Sequence, residues 1–449
     1  MAPFHQADDM TTMIEKATDL RRDVGVGGVI MFGAGTAIGV SIFSVLQPAA
    51  QIAGSGLLLA MVVAALPMGL FSISYAYLAS TYPVSGASYE WPRRFLHPGV
   101  GFTIVWLRIL SNIGALTLLS QVLANYLSKV VTLPAKPLMA LALTTVFGLN
   151  LVGVGVAARA QAVLMGFLLA VLAVFVATGA PHATTAVIGD PLASGHGAIL
   201  ACIPLMISLF LGIEAAVEIG DEVRNPRRAI PLGIVGAIGL TVVVYGSVAA
   251  VALGLVGPAA LAASKAPLLD AARTTLGPIA VPLIVTAATV SILKAMNANA
   301  LIFSRSLFAM GRTKVLPDIF ARIHPRFGTP YTAVLLAYAL AMTGLLLPSS
   351  LIFLLLTVNV PTMLKYAACS LSAERVAAAH PDLRAKGLQF APGVVRCVGL
   401  LGAATALGIM IAGMSADTRP YELIAGWLGA GAIYWWVRAR TAFGKALND

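Results

Sequence analysis

Residues 33–43 read GAGTAIGVSIF, a run with three glycines, two hydroxyls and no charge. It lies inside an apolar segment from Val26 to about Leu46. Each glycine weakens a helix by about 1 kcal/mol relative to alanine. In hydrocarbon, every unpaired backbone group costs several kcal/mol, so a helix opens there only if something else takes those groups. A bound solute can do so. The half-helix beyond an opening presents free N–H groups and a partial positive charge, which suit a carboxylate. The half-helix before it presents free carbonyls, which suit an ammonium or a sodium ion. The glycines of GAGTAIGVSIF would let the backbone itself become the binding site. Glycine and alanine at intervals of four also let membrane helices pack closely, and Gly35 and Gly39 have that spacing.

A second segment of this kind runs from Ile203 to Gly220 and carries Gly212 in its middle, followed by Glu214. The two segments lie five helices apart, and paired interrupted spans in corresponding positions of two halves point to a site between them. Two openings face to face hold a zwitterion without a buried side-chain charge. Glu214 and Glu218, one turn apart, could bind an amine, carry a proton or pair with a cation. For Glu214, gating or packing is the favoured reading, and Glu218 is as readily structural.

Lys294, in Ser291-Ile292-Leu293-Lys294-Ala295-Met296-Asn297, sits mid-span. It is about 15 residues, or roughly 20 Å, from either end of its helix, too far to snorkel to water. An ammonium inside a membrane marks function by default. To release a proton near neutral pH it must be destabilised by roughly 4–5 kcal/mol, which burial can supply. Arg108, with Asn112 one turn on, reads as a member of an internal ion pair, with a substrate contact as the alternative.

The elements that must position these residues follow from composition. The 449-residue chain is 59% hydrophobic and 10% charged, where soluble domains carry about 25% charged residues. A span needs about 20 apolar residues. Twelve stretches meet that need: roughly 25–47, 55–79, 99–127, 135–153, 159–179, 198–219, 230–256, 279–304, 330–347, 350–371, 393–413 and 420–437. The first is preceded by polar-leaning residues and lacks the short apolar run of a signal peptide. With the amino terminus in the cytoplasm, only Lys129, Lys136, Lys265, Arg273 and Arg419 fall in outside loops. Arg108 and Lys294 fall inside spans, and the rest of the 29 Lys and Arg lie on the inner side. The net charge of +11 therefore follows membrane topology and does not point to nucleic acid. Both termini come out cytoplasmic. Residues 1–449 read as a single integral-membrane domain: a cytoplasmic segment 1–24, a first repeat 25–179, a second repeat 198–371, and two further helices over 393–437.

Three longer blocks carry a family resemblance. Ile38-Gly39-Val40-Ser41-Ile42-Phe43 is one. Leu211-Gly212-Ile213-Glu214, continuing through Asp221-Glu222-Val223-Arg224-Asn225-Pro226-Arg227-Arg228 to Pro231, is the second. Ser304-Arg305-Ser306-Leu307-Phe308-Ala309-Met310-Gly311-Arg312, with Leu316-Pro317 and His324-Pro325-Arg326-Phe327-Gly328-Thr329-Pro330, is the third. In order and spacing they resemble the amino acid–polyamine–organocation superfamily. The resemblance implies an all-α integral membrane fold of 12 transmembrane helices: two five-helix inverted repeats (1–5 and 6–10) plus two carboxy-terminal helices, with helices 1 and 6 interrupted. It implies alternating-access transport of amino acids or related amines. It would put the solute carboxylate on the backbone around Gly39, Val40 and Ser41. The amino group would go to the carbonyls of Ala37, Ile38, Ser208 and Leu211. Ser41 stands where a second glycine is usual, and Ser208 where relatives often carry an aromatic lid, with Phe210 two positions on. Some proton-coupled relatives use a lysine from helix 5 as a cation surrogate. Here Leu164–Leu169 has none, and Lys294, with Ser291 on the same helix, would fill that space.

The expectation is a secondary transporter of amino acids, proton-coupled, in a bacterial-type inner or plasma membrane, with no cofactor or metal. An ethanolamine or polyamine carrier, or an exchanger of the same fold, is the alternative. An enzyme is disfavoured because His5, His97, His182, His196, His324 and His380 all lie outside the mid-span region. Cys202, Cys369 and Cys397 have no metal or disulfide spacing.

Overall fold

A computed structural model of the chain describes residues 25–39, 41–82, 87–152, 158–212, 223–224, 226–312, 315–384 and 390–439. All regular elements among them are helical. The longer helices are α1 (Val26–Ala37), α2 (Ser41–Ala53), α3 (Leu57–Thr81), α4 (Ala87–Phe95), α5 (Pro98–Leu127), α6 (Ala135–Val152), α7 (Ala158–Gly179) and α8 (Gly195–Met206). They continue as α9 (Pro226–Ala263), α10 (Pro267–Leu276), α11 (Ala280–Arg312), α12 (Tyr331–Thr343), α13 (Leu351–Ala379), α14 (Pro392–Gly413) and α15 (Arg419–Ala439).

Among the described residues, eight helical stretches are long and apolar enough to cross a bilayer, and three shorter apolar ones begin at Val26, Gly195 and Tyr331. Their outward faces carry bare hydrophobic side chains, including Leu66, Val163, Val235, Val243 and Ile411. Water would penalise such a surface and lipid does not. Pro48, Pro67 and Pro361 sit inside α2, α3 and α13. Helices in hydrocarbon tolerate this because neighbouring helices and hydroxyl side chains satisfy the freed carbonyls.

The interior is built around α5 and α13, the two most buried of the eight stretches. They pack on each other, and α5 also packs on α11. Ser111 Oγ donates to the Val358 carbonyl at 3.2 Å, and Gly114 lets Thr357 approach closely. On the other side, α9 runs along α1, α2 and α3. Glycines of α9 make its contact with α1 close. A Cβ at Gly233 would collide with Val29 of α1, and one at Gly236 would lie 2.7 Å from Ile30. The small residues that admit α1 therefore lie on α9. A Cβ at Gly35 would meet nothing within 4 Å, and one at Gly39 only Ser291 Oγ, at 3.8 Å. Gly35 and Gly39 are not there to bring a helix close.

Candidate functional site

The first apolar segment is two helices. α1 ends at Ala37, and Ile38 is extended at φ −75°, ψ 108°, its N–H still bonded to the Ala34 carbonyl. α2 begins at Ser41. Gly39 lies in the gap, and Val40 is outside the described residues. The second segment also breaks. α8 tightens into a 3₁₀ turn over Ile207–Leu209, and the chain turns at Phe210–Gly212, where Gly212 has φ +105°. Only glycine adopts that backbone freely. Glu214 and Glu218 lie outside the described residues.

The two breaks touch. Ser41 Oγ donates to the Ser208 carbonyl at 2.8 Å. The hydroxyl that departs from the usual glycine thus ties the start of α2 to the end of α8. Ser44 Oγ in turn donates to the Ser41 carbonyl at 3.0 Å. Ala37, Ile38, Ile42, Ser208 and Phe210 are buried, while Gly39, Ser41, Leu211 and Gly212 are half-buried.

Each break is also held by a side chain that sequence reasoning missed. Tyr245 of α9 spans the first. Its hydroxyl accepts the Gly39 N–H at 2.7 Å and donates to the Ala37 carbonyl at 3.0 Å. Asn359 of α13 holds the second. Its amide donates to the Pro204 carbonyl at 2.6 Å and to Ser208 Oγ at 2.7 Å. Both residues are polar groups in otherwise apolar runs, Val-Val-Val-Tyr-Gly and Leu-Thr-Val-Asn-Val. A polar group in hydrocarbon needs a partner, and that signal was available. The partner's identity was not.

Some polar atoms here have no partner among the described residues. Ser291 Oγ of α11 is buried beside Gly39 and unbonded. Asn359 Oδ1 is likewise unbonded at the α8 break, and so is Asn112 Nδ2 on α5. Buried polar atoms are nearly always satisfied, so water or a polar guest could bond to these. The Ala37 and Ser208 carbonyls already accept from Tyr245 and Ser41. A carbonyl oxygen has two lone pairs, so one donor does not exhaust either.

Lys294 lies one turn beyond Ser291, in the middle of α11 and half-buried, with no ion pair among the described residues. One turn further, Asn297 Oδ1 accepts from Asn150 Nδ2 of α6 at 2.9 Å. Arg108 is exposed on α5 and makes no ion pair among the described residues, and Glu214 and Glu218, which could pair with it, lie outside them. Near the carboxy-terminal end of α2, a cavity of about 810 Å³ is lined by Gln47, Gln51, Gln121, Asn125, Lys136 and Lys265, among others. Among the described residues, no cluster of three or more His, Cys, Asp or Glu could hold a metal ion.

An apolar helical bundle with two opened helices meeting at a polar centre is the frame of a membrane protein that handles a small polar guest. The chain belongs to the amino acid permease family, whose model matches residues 28–418. It is 32% identical over 323 residues to an uncharacterized transporter of Mycobacterium tuberculosis, covering 72% of this chain and 73% of that one. It is 25% identical over 412 residues to a branched-chain amino acid permease of Bacillus subtilis, covering 86% and 88%. It is 24% identical over 396 residues to a methylthioribose transporter of the same organism, covering 82% and 84%. The protein is an integral membrane transporter and not an enzyme.

Proposed function

We propose that the protein carries an amino acid across the membrane by alternating access, binding it between the α1–α2 break and the α8 break. The observation that carries this reading is the Ser41–Ser208 hydrogen bond, which brings two opened backbones to one place. The solute carboxylate takes N–H groups at Gly39, Val40 and Ser41. The ammonium takes the free lone pairs of Ala37 and Ser208, with Ile38 and Leu211 beside them. Ile42, Phe210, Gly212 and Glu214 complete the lining. The name of the branched-chain permease relative supports an amino acid over an ethanolamine or polyamine, and the methylthioribose relative marks how far substrates vary within similar sequences.

In this reading α1 with α2 forms span 1 and α8 opens span 6 of a twelve-span chain. Residues 25–179 and 198–371 are inverted repeats, residues 393–437 add two helices, and both termini are cytoplasmic. The cavity near Lys136 and Lys265 is then the outer entrance. The coupling ion is the proton, carried by Lys294. Ser291, one turn away and unbonded beside Gly39, links that lysine's helix to the break.

The test is reconstitution into liposomes with an imposed pH gradient. Wild type accumulates amino acid, and Lys294→Ala equilibrates it without concentrating it. Fully concentrative uptake by Lys294→Ala would refute proton coupling through this residue. Counterflow without net uptake in wild type would favour the exchanger alternative.

A further inference from the structure

Tyr245 offers something the solute also offers. It is fully buried in α9, and its phenol bridges the α1–α2 break as acceptor to Gly39 N–H and donor to the Ala37 carbonyl. These are two of the backbone groups that the proposed carboxylate and ammonium need. A carbonyl has two lone pairs, so Ala37 serves a phenol and an ammonium together. Gly39 has a single N–H, which a phenol and a carboxylate must contest.

We propose that Tyr245 is a built-in stand-in for the solute: it satisfies the opened backbone of α1 when the site is empty and yields the Gly39 N–H when a carboxylate arrives. The inference rests on the carrier reading. Without such a group, the empty carrier would leave a buried N–H and C=O unpaired at the break, a penalty that the loaded carrier avoids. Tyr245 is a positioning residue for the empty form. The glycine contacts of α9 with α1, at Gly233 and Gly236, keep the two helices in register, so the hydroxyl returns to the same break after each release.

This asymmetry can be measured. Net uptake requires the empty carrier to reorient, and counterflow exchange uses only the loaded carrier. Wild type and Tyr245→Phe are compared in proteoliposomes with radiolabelled L-leucine, then with the other common amino acids in turn. Net uptake by Tyr245→Phe is expected to fall tenfold or more. Counterflow should stay within about threefold, with KM unchanged or lower, since a competitor for Gly39 is gone. Equal loss in both modes would mean a general structural role and overturn the inference. Loss of counterflow with a raised KM would make Tyr245 a solute ligand and overturn it also. A wild type that moves no amino acid in either mode would refute the carrier reading itself, and this inference with it. A measurement on wild type alone guards against a variant that does not fold. Hydrogen exchange of the Gly39 amide should be slow in the empty carrier, and a fast-exchanging amide there would overturn the proposal.

Discussion

The two breaks solve one problem by different means. At the α1–α2 break the backbone is extended, with Ile38 in an ordinary region, and space surrounds its glycines. A phenol from α9 supplies both a donor and an acceptor. At the α8 break the chain tightens into a 3₁₀ turn and turns at Gly212, which has positive φ. An amide from α13 supplies donors to a carbonyl and a hydroxyl. In the proposed reading, glycine at the first break serves access. Glycine at the second serves conformation. Similar residues in similar settings thus carry different physical duties.

Substitutions can separate those duties. The largest effect is expected at Gly39. Gly39→Ala places a methyl 3.8 Å from Ser291 Oγ, an ordinary contact, and Gly39 is not among the glycines at positive φ. The variant should melt close to wild type yet lose tenfold or more of its uptake, because the methyl fills the space the solute needs. Gly212→Ala should do the reverse in stability, losing roughly 1–3 kcal/mol by forcing an L side chain to φ +105°. Thermal melting in detergent, run beside uptake, tells the two apart. Equal destabilisation by both would dissolve the contrast.

Next comes the packing face. Gly233→Ala drives a methyl into Val29 and should destabilise by about 1–3 kcal/mol. Asn359→Ala strips donors from the Pro204 carbonyl and Ser208 Oγ and should cost about 1–2 kcal/mol. It should also weaken uptake through a displaced Ser208. The smallest effect belongs to Gly35→Ala. With nothing within 4 Å of the new methyl, it should be neutral or stabilising by up to about 1 kcal/mol. A large loss of melting temperature there would restore the close-packing reading of the opening glycines.

Much of this was legible in the chain. Glycines and hydroxyls in the centre of an apolar segment pointed to an opened helix, and α1 does end at Ala37, before Gly39. Gly212 marked the second break for the same reason. Lys294 was legible as a mid-helix cation, and α11 carries it 14 residues from Ala280. Ser41 was read as an obstruction with a spare hydroxyl, and its actual use, a bond to Ser208, was not legible. The exposure of Arg108 on α5 was not legible, because a charge inside an apolar run does not say which face of the helix it occupies.

What the amino-acid sequence determined by itself was local. Apolar length fixed where helices form, and glycine placement fixed where the backbone lets go. The tertiary structure decided who takes hold of the released groups. Gly39 and Tyr245 are 206 positions apart, Ser41 and Ser208 are 167, and Ser208 and Asn359 are 151. Hydrogen bonds reach about 3 Å. No periodicity or composition within one segment can say which distant polar side chain the packing of the bundle will bring within that reach.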